Sequence, residues 1–175
     1  MATKRKAPRS KASVAPISPC LWFEHQAEEA ARYYVSIFKK AKILDITRYP
    51  SVGKDIHGRE PGSVMTVRFV LNGLEFVALN GGPLFKFTEA VSLMVLCRTQ
   101  AEIDYYWEKL GAGGDPNAQA CGWLKDKFGL SWQVAPRSFT EMWKNPKAKG
   151  TERAFAAMMQ MKKLDIAALE AARKG

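Results

Sequence analysis

One offset governs much of this chain. The stretches "LWFEHQAEEAARYYVSIF" and "LMVLCRTQAEIDYYWEKL" superpose at a constant 74 residues, placing Gln26 over Gln100, Ala27 over Ala101, Glu28 over Glu102 and Tyr33 over Trp107. Further on, "NGLEFVALN" lies over "FGLSWQVAP", with Gly73 on Gly129, Leu74 on Leu130 and Phe76 on Trp132, but at an offset of 56. The second copy is therefore 18 residues shorter between its helix and its last strand, about one strand and its loop. Duplication constrains the fold strongly, because each copy repeats one supersecondary unit and the chain must be a pair of like modules.

Hydrophobic spacing identifies the unit. "CLWFEH" reads as a short strand, and "QAEEAARYYVSIFKK" switches to the helical period with Ala30, Tyr33 or Tyr34, Ile37 and Phe38 on one side. "KILDITRYP" and "SVMTVRFVL" are strands on either side of "SVGKDIHGREPG", whose Gly and Pro content predicts no regular element. Asn72-Gly73 then marks a tight hairpin into "NGLEFVALN". The order is βαβββ, and "ACGWLKDKFGLSWQVAP" supplies the last two strands of the shortened copy. "GTERAFAAMMQMKKLDIAALEAARKG" predicts two helices, the second capped by Asp165, whose Phe155, Met158, Met159, Ile166 and Leu169 need a surface to cover.

Alternate strand residues share a face. Leu21 and Phe23 therefore pack on the helix, while Ser18, Cys20, Trp22 and Glu24 look the other way. Ser92 shares a face with Met94, and Ser131 with Gln133, opposite Trp132 and Val134. In "LNGGPLFKF", Gly81-Gly82-Pro83 makes a sharp exit from the strand, and Phe85 and Phe87 present two rings near the module junction. Such polar faces point either at solvent or into a binding cavity.

Charge narrows the function classes. The net charge of +10 sits at the ends: residues 1–15 carry five basic and no acidic residues, and 144–175 carry eight basic against three acidic. Residues 16–143 have 14 of each, and no recognition helix or stacking motif accompanies the excess, which argues against nucleic-acid binding. No apolar run is long enough to span a membrane, and the basic start has no apolar segment behind it, so a cytoplasmic protein is expected. Cys20, Cys97 and Cys121 are odd in number and widely spaced; buried free thiols are expected rather than a disulfide framework or zinc cluster.

"LWFEHQAEEAARYY", "LNGGPLFKFTEAVSL", "QAEIDYYWEKL", "CGWLKDKFGLSWQVAP" and "KKLDIAALEAA" together resemble the PhnB-like branch of the vicinal oxygen chelate superfamily. That superfamily contains glyoxalases, extradiol dioxygenases and bleomycin- and fosfomycin-resistance proteins; this branch often carries the label 3-demethylubiquinone-9 3-methyltransferase. The resemblance covers about residues 18–172. It implies an α+β fold of two βαβββ modules, the second shortened, forming a cupped, barrel-like mixed sheet, with C-terminal helices. In the superfamily's metal enzymes, His or Gln from each first strand and Glu from each last strand hold a divalent ion. Those positions fall here on Ser18 and Ser92, on Val77 or its neighbour Glu75, and on Gln133, a poor donor set for such a metal. His25 and His57 fall on no ligand position of the family. A nucleotide-fold methyltransferase would need a Gly-rich strand-to-helix turn, whereas "LNGGPLFKF" follows a hairpin strand, so the label is a name and not a mechanism.

The expected domains are a disordered basic tail (1–15), a first module (16–90), a shortened second module (91–137) and a helical extension (138–175). The expected function is binding of a small organic ligand by a homodimer, with no metal or other cofactor. Ser18, Trp22, Glu75, Phe85, Phe87, Ser92, Met94 and Gln133 are the candidate contacts. The alternative is an enzyme of the same fold, either metal-dependent or using Glu24 or Glu75 for acid/base chemistry.

Overall fold

The computed structural model describes residues 17–175, so the segment expected to be a disordered tail lies outside the described residues. The first copy runs β1 (Cys20–Phe23), α1 (Ala27–Ile37), β2 (Ala41–Arg48), α2 (Lys54–His57), β3 (Val64–Leu71) and β4 (Leu74–Asn80). The turn α2 corrects the expectation of an irregular loop: it is flanked by Gly53 and Gly58 in left-handed backbone, φ 82° and 67°. Here glycine bounds one helical turn instead of preventing it. The second copy comprises β5 (Ser92–Cys97), α3 (Gln100–Gly111), a 3₁₀ turn at Pro116–Ala118, β6 (Trp123–Lys125) and β7 (Ser131–Pro136). An extension of α4 (Phe139–Met142), α5 (Lys149–Met158) and α6 (Ile166–Lys174) follows.

The first sheet has the order β1-β4-β3-β2 and the second β5-β7-β6. In each, the first strand runs parallel to the last, and the remaining pairs are antiparallel. The second order is the first without its outer strand, as the shortened repeat predicts. Among the described residues no strand pairing joins the sheets, which remain two mixed sheets and no closed barrel.

Both sheets turn one face into a common core. Leu21, Phe23, Phe69 and Phe76 from the first meet Val95, Leu124, Trp132 and Val134 from the second around Ala30, Tyr34 and Ile37 of α1 and Ile103 and Leu110 of α3. Of the two candidate tyrosines, Tyr34 is the buried one, its ring centred 5.4 Å from that of Trp132. Burying a ring of that size is worth about 1.5–3 kcal/mol. The Tyr34 hydroxyl donates to Asp126 at 2.8 Å, and Asp126 also accepts from Trp132 Nε1 at 2.8 Å and from the backbone N–H groups of Phe128 and Leu130 at 2.8 and 3.1 Å. Four donors thus satisfy one buried carboxylate where the modules meet.

A smaller core of Ala135, Met142, Ala154, Met158, Leu164 and Leu169 lies under the extension. Asp165 caps α6 as predicted, accepting from the Ala168 N–H at 2.9 Å. Met158 and Leu169 are covered, whereas Phe155 and Met159 remain half exposed. All three cysteines are free, but only Cys97 is buried. Cys20 alternates with Leu21 and so faces outward, and Cys121 sits half-buried in a left-handed turn, φ 51°. Burial pushes the Cys97 thiol up to about 12, which leaves it inert. No helix among the described residues is long and apolar enough to cross a membrane.

Candidate ligand-binding site

Because the core faces of both sheets look inward, their other faces look out, in different directions. On the outer face of the first sheet stand Trp22 and Glu75, with Ser18 half-buried just before β1. Trp22 Nε1 donates to the Gly82 carbonyl at 2.8 Å, and its ring meets Phe85 edge-on at 4.9 Å. A Cβ on Gly81 would lie 2.2 Å from the indole, so glycine is required for this close approach. Glu75 is held by Arg68 at 2.8 Å, and Arg68 reaches Asp45 at 2.6 Å on the same face.

Glu24 stands exposed on the rim of a depression of about 290 Å³ at the module junction. Trp22, Phe85, Phe87 and Phe128 wall it, with Gln26, Lys86 and Lys125 alongside. Phe87 packs edge-on to Phe23 at 5.2 Å. Four sequence candidates, Trp22, Glu24, Phe85 and Phe87, therefore do converge.

The remaining candidates are on the outer face of the second sheet. Ser92 pairs with Ser131 and Met94 with Gln133 across β5 and β7, and Gln133 Nε2 donates to Ser92 Oγ at 2.8 Å. Met94 lines a different, open groove of about 730 Å³ with Leu74, Leu96, Lys39, Lys40 and Arg98. None of these depressions among the described residues brings Trp22 or Glu75 together with Ser92, Met94 or Gln133.

The donor set does not fit the divalent metal of the superfamily's enzymes. Ser18, Ser92 and Val77 offer neither imidazole nor carboxylate, Gln133 is turned to Ser92, and Glu75 is held by Arg68. Among the described residues no three His, Cys, Asp or Glu side chains group to hold an ion. His57 instead stacks on Tyr49, ring centres 4.7 Å apart.

Several polar groups escaped the sequence reading. Trp123 pairs with Gln133 and Lys125 with Ser131, so both lie on the second sheet's outer face, with Lys125 ion-paired to Glu89 of the linker. Period-two alternation around the buried Leu124 was the available signal. Asp45 and Arg68 lie on separate strands, and only strand order brings them to Glu75.

The family model described as 3-demethylubiquinone-9 3-methyltransferase matches residues 15–135. Among solved structures, a PhnB protein from Bacillus cereus is 37% identical, with 69% of this chain and 98% of that chain covered, at a TM-score of 0.58. Protein PA1353 from Pseudomonas aeruginosa is 19% identical, covering 70% and 98%, at a TM-score of 0.54. The fosfomycin resistance protein FosX from Listeria monocytogenes is 16% identical, covering 75% and 98%, at a TM-score of 0.51. The last two likenesses are of fold alone. No curated protein matches the chain.

Proposed function

The chain belongs to the 3-demethylubiquinone-9 3-methyltransferase family, the PhnB-like branch of the vicinal oxygen chelate superfamily, and from that premise we propose that it binds a small organic molecule in a cavity completed by a second copy of itself. One observation carries this reading. The candidate contacts divide between two outward faces, and each face is bordered by an edge strand, β1 for Ser18, Trp22 and Glu75, β5 for Ser92, Met94 and Gln133. A free edge bearing exposed apolar side chains is a template for pairing, and Met94 and Leu96 on β5 are 49% and 48% exposed. Setting β1 of one copy beside β5 of another merges the two half-sites, and a two-fold axis makes two such cavities per dimer. Their walls hold Trp22 and Met94 with a few neutral or charge-balanced polar groups, which suits hydrogen bonding and apolar contact with an organic ligand.

Light scattering tests the assembly: the chain is 19.5 kDa, and a particle of that mass at micromolar concentration overturns the reading. Met94→Cys tests the seam, since Cys20 is the equivalent first-strand position. Mild oxidation should give a covalent dimer from Met94→Cys and not from Met94→Cys with Cys20→Ser.

A further inference from the structure

The outer face of the second sheet carries a row of hydrogen-bond donors. Cross-strand register aligns Ser92 with Ser131 and Ser131 with Lys125, and directly opposed residues on one face lie within side-chain reach. Ser92 Oγ accepts from Gln133, a bond that leaves its own proton unused. Ser131 is only 1% exposed, and its Oγ is without a hydrogen-bond partner among the described residues. A buried hydroxyl left so bears its full desolvation penalty, and a missing partner is a reason to look for a ligand atom. Ser131 and Lys125 line a depression of about 300 Å³ whose other walls are Ala118, Ala120, Trp123 and Leu124, with Glu89 at its edge.

Glu89 is the one carboxylate here. It belongs to the linker between β4 and β5, which has no helix or strand, and its side chain is 62% exposed while that of Lys125 is 27% exposed. The hydrogen bond from Lys125 holds the Glu89 carboxyl below the usual carboxylate range. Two hydroxyls and an ammonium in register, beside an apolar wall and met by one carboxylate on an irregular segment, describe complementarity to an organic acid. We propose that Ser92, Ser131 and Lys125 form the carboxylate subsite of a small apolar acid, and that Glu89 holds the Lys125 ammonium as an internal stand-in until the ligand displaces it. The inference rests on the reading that the outer face of the second sheet binds a small molecule, and it adds the ligand's class.

Isothermal titration of the full chain at pH 7 with benzoate, benzyl alcohol and benzylamine tests it. Benzoate should bind at least tenfold more tightly than either neutral or cationic probe. Glu89→Gln, which removes the internal competitor at an exposed position, should tighten benzoate several-fold, whereas Ser131→Ala should weaken it about fivefold. Benzoate affinity unchanged or weakened by Glu89→Gln overturns the stand-in, and no benzoate binding at 10 mM overturns the subsite. A dimer that binds benzyl alcohol as well as benzoate keeps the two-copy cavity and removes the carboxylate subsite. A monomer that still prefers benzoate does the reverse.

Discussion

The two modules hold the same helix to the same kind of sheet by different means. In the first, the fastening is internal: Asn80 at the end of β4 accepts from the Ala27 N–H of α1 at 2.8 Å and donates to the Val64 carbonyl of β3 at 3.0 Å. The outer strand β2 covers the flank of β3. In the second, both tasks pass to the chain's last segment. The N–H groups of Cys121 and Gly122, just before β6, donate to the Met161 and Lys162 carbonyls at 2.7 and 2.8 Å. Gln100, the first residue of α3, donates to the Leu164 carbonyl at 3.1 Å and accepts from the Ile166 N–H at 2.9 Å. The approach to β6 and the start of α3 are thus fastened by residues beyond the stretch matched by the family model, 136–175 in this chain.

If the extension substitutes for a strand, removing its end should hurt as losing a strand would. Deleting residues 161–175 uncovers two backbone donors and strips Leu164 and Leu169, both fully buried, from the smaller core. Each leucine alone is worth about 2–5 kcal/mol, so a loss of at least about 4 kcal/mol, or roughly 10 °C in Tm, is expected. Circular dichroism melts decide it, and a shift below about 3 °C would mean that the second sheet stands unaided.

Asp126 joins the modules, so its loss should fall on both. Asp126→Ala leaves the Tyr34 hydroxyl, Trp132 Nε1 and two backbone N–H groups without their acceptor, at a cost of about 3–4 kcal/mol in urea unfolding. Burial raises the Asp126 carboxyl above the usual range, and the four donors only partly pull it back. An acid whose pKa is higher folded than unfolded contributes most below the unfolded value and loses that contribution as pH rises through the folded one. The stability gap between wild type and Asp126→Asn should therefore narrow as pH climbs from about 4. A gap that widens over that range contradicts the direction of the shift.

Features carried by local period are legible in the sequence alone: the repeat, the order of both modules, the buried faces of β1 and β7, the Asn72-Gly73 hairpin and the Asp165 cap. What was not legible depends on contacts between distant segments. Tyr34 and Tyr33 fit the helical face equally well, and only the approach of Trp132 and Asp126 selects Tyr34. The candidate site divided for the same reason. Alternation says that Trp22 and Gln133 face away from their helices, but whether two outward faces meet is a property of how the sheets pack, and here a shared core turns them apart. Lys125 needed no such knowledge; the alternation that picked out Gln133 applies to it equally.

Gln26 and Gln100 sharpen the comparison at a single duplicated position. The Gln100 side chain ties α3 to the extension through two backbone partners, whereas the Gln26 side chain, among the described residues, accepts only from the neighbouring His25 N–H at 3.2 Å. Gln100→Ala should cost about 1–2 kcal/mol and Gln26→Ala less than about 0.5 kcal/mol. Equal costs in chemical denaturation would mean that the two helices are fastened alike after all.

A small effect on stability is also expected at Gln133, whose counterpart in the first module, at the 56-residue offset, is Val77. Gln133 is half-buried, and its one side-chain bond among the described residues is the neutral contact with Ser92, worth about 1 kcal/mol or less. Valine suits a strand and has a near relation to the first module's residue, so Gln133→Val should lower Tm by no more than about 3 °C. The same change removes the group that engages Ser92 Oγ and leaves the β5–β7 backbone pairing intact. If the outer face of the second sheet is a ligand surface, the variant should keep its fold and its oligomeric mass while its affinity for bound small molecules falls about fivefold, the equivalent of one hydrogen bond. A large stability loss would instead make Gln133 a structural polar residue of the sheet, and the two modules would then differ in how they are built and not in what their outer faces do.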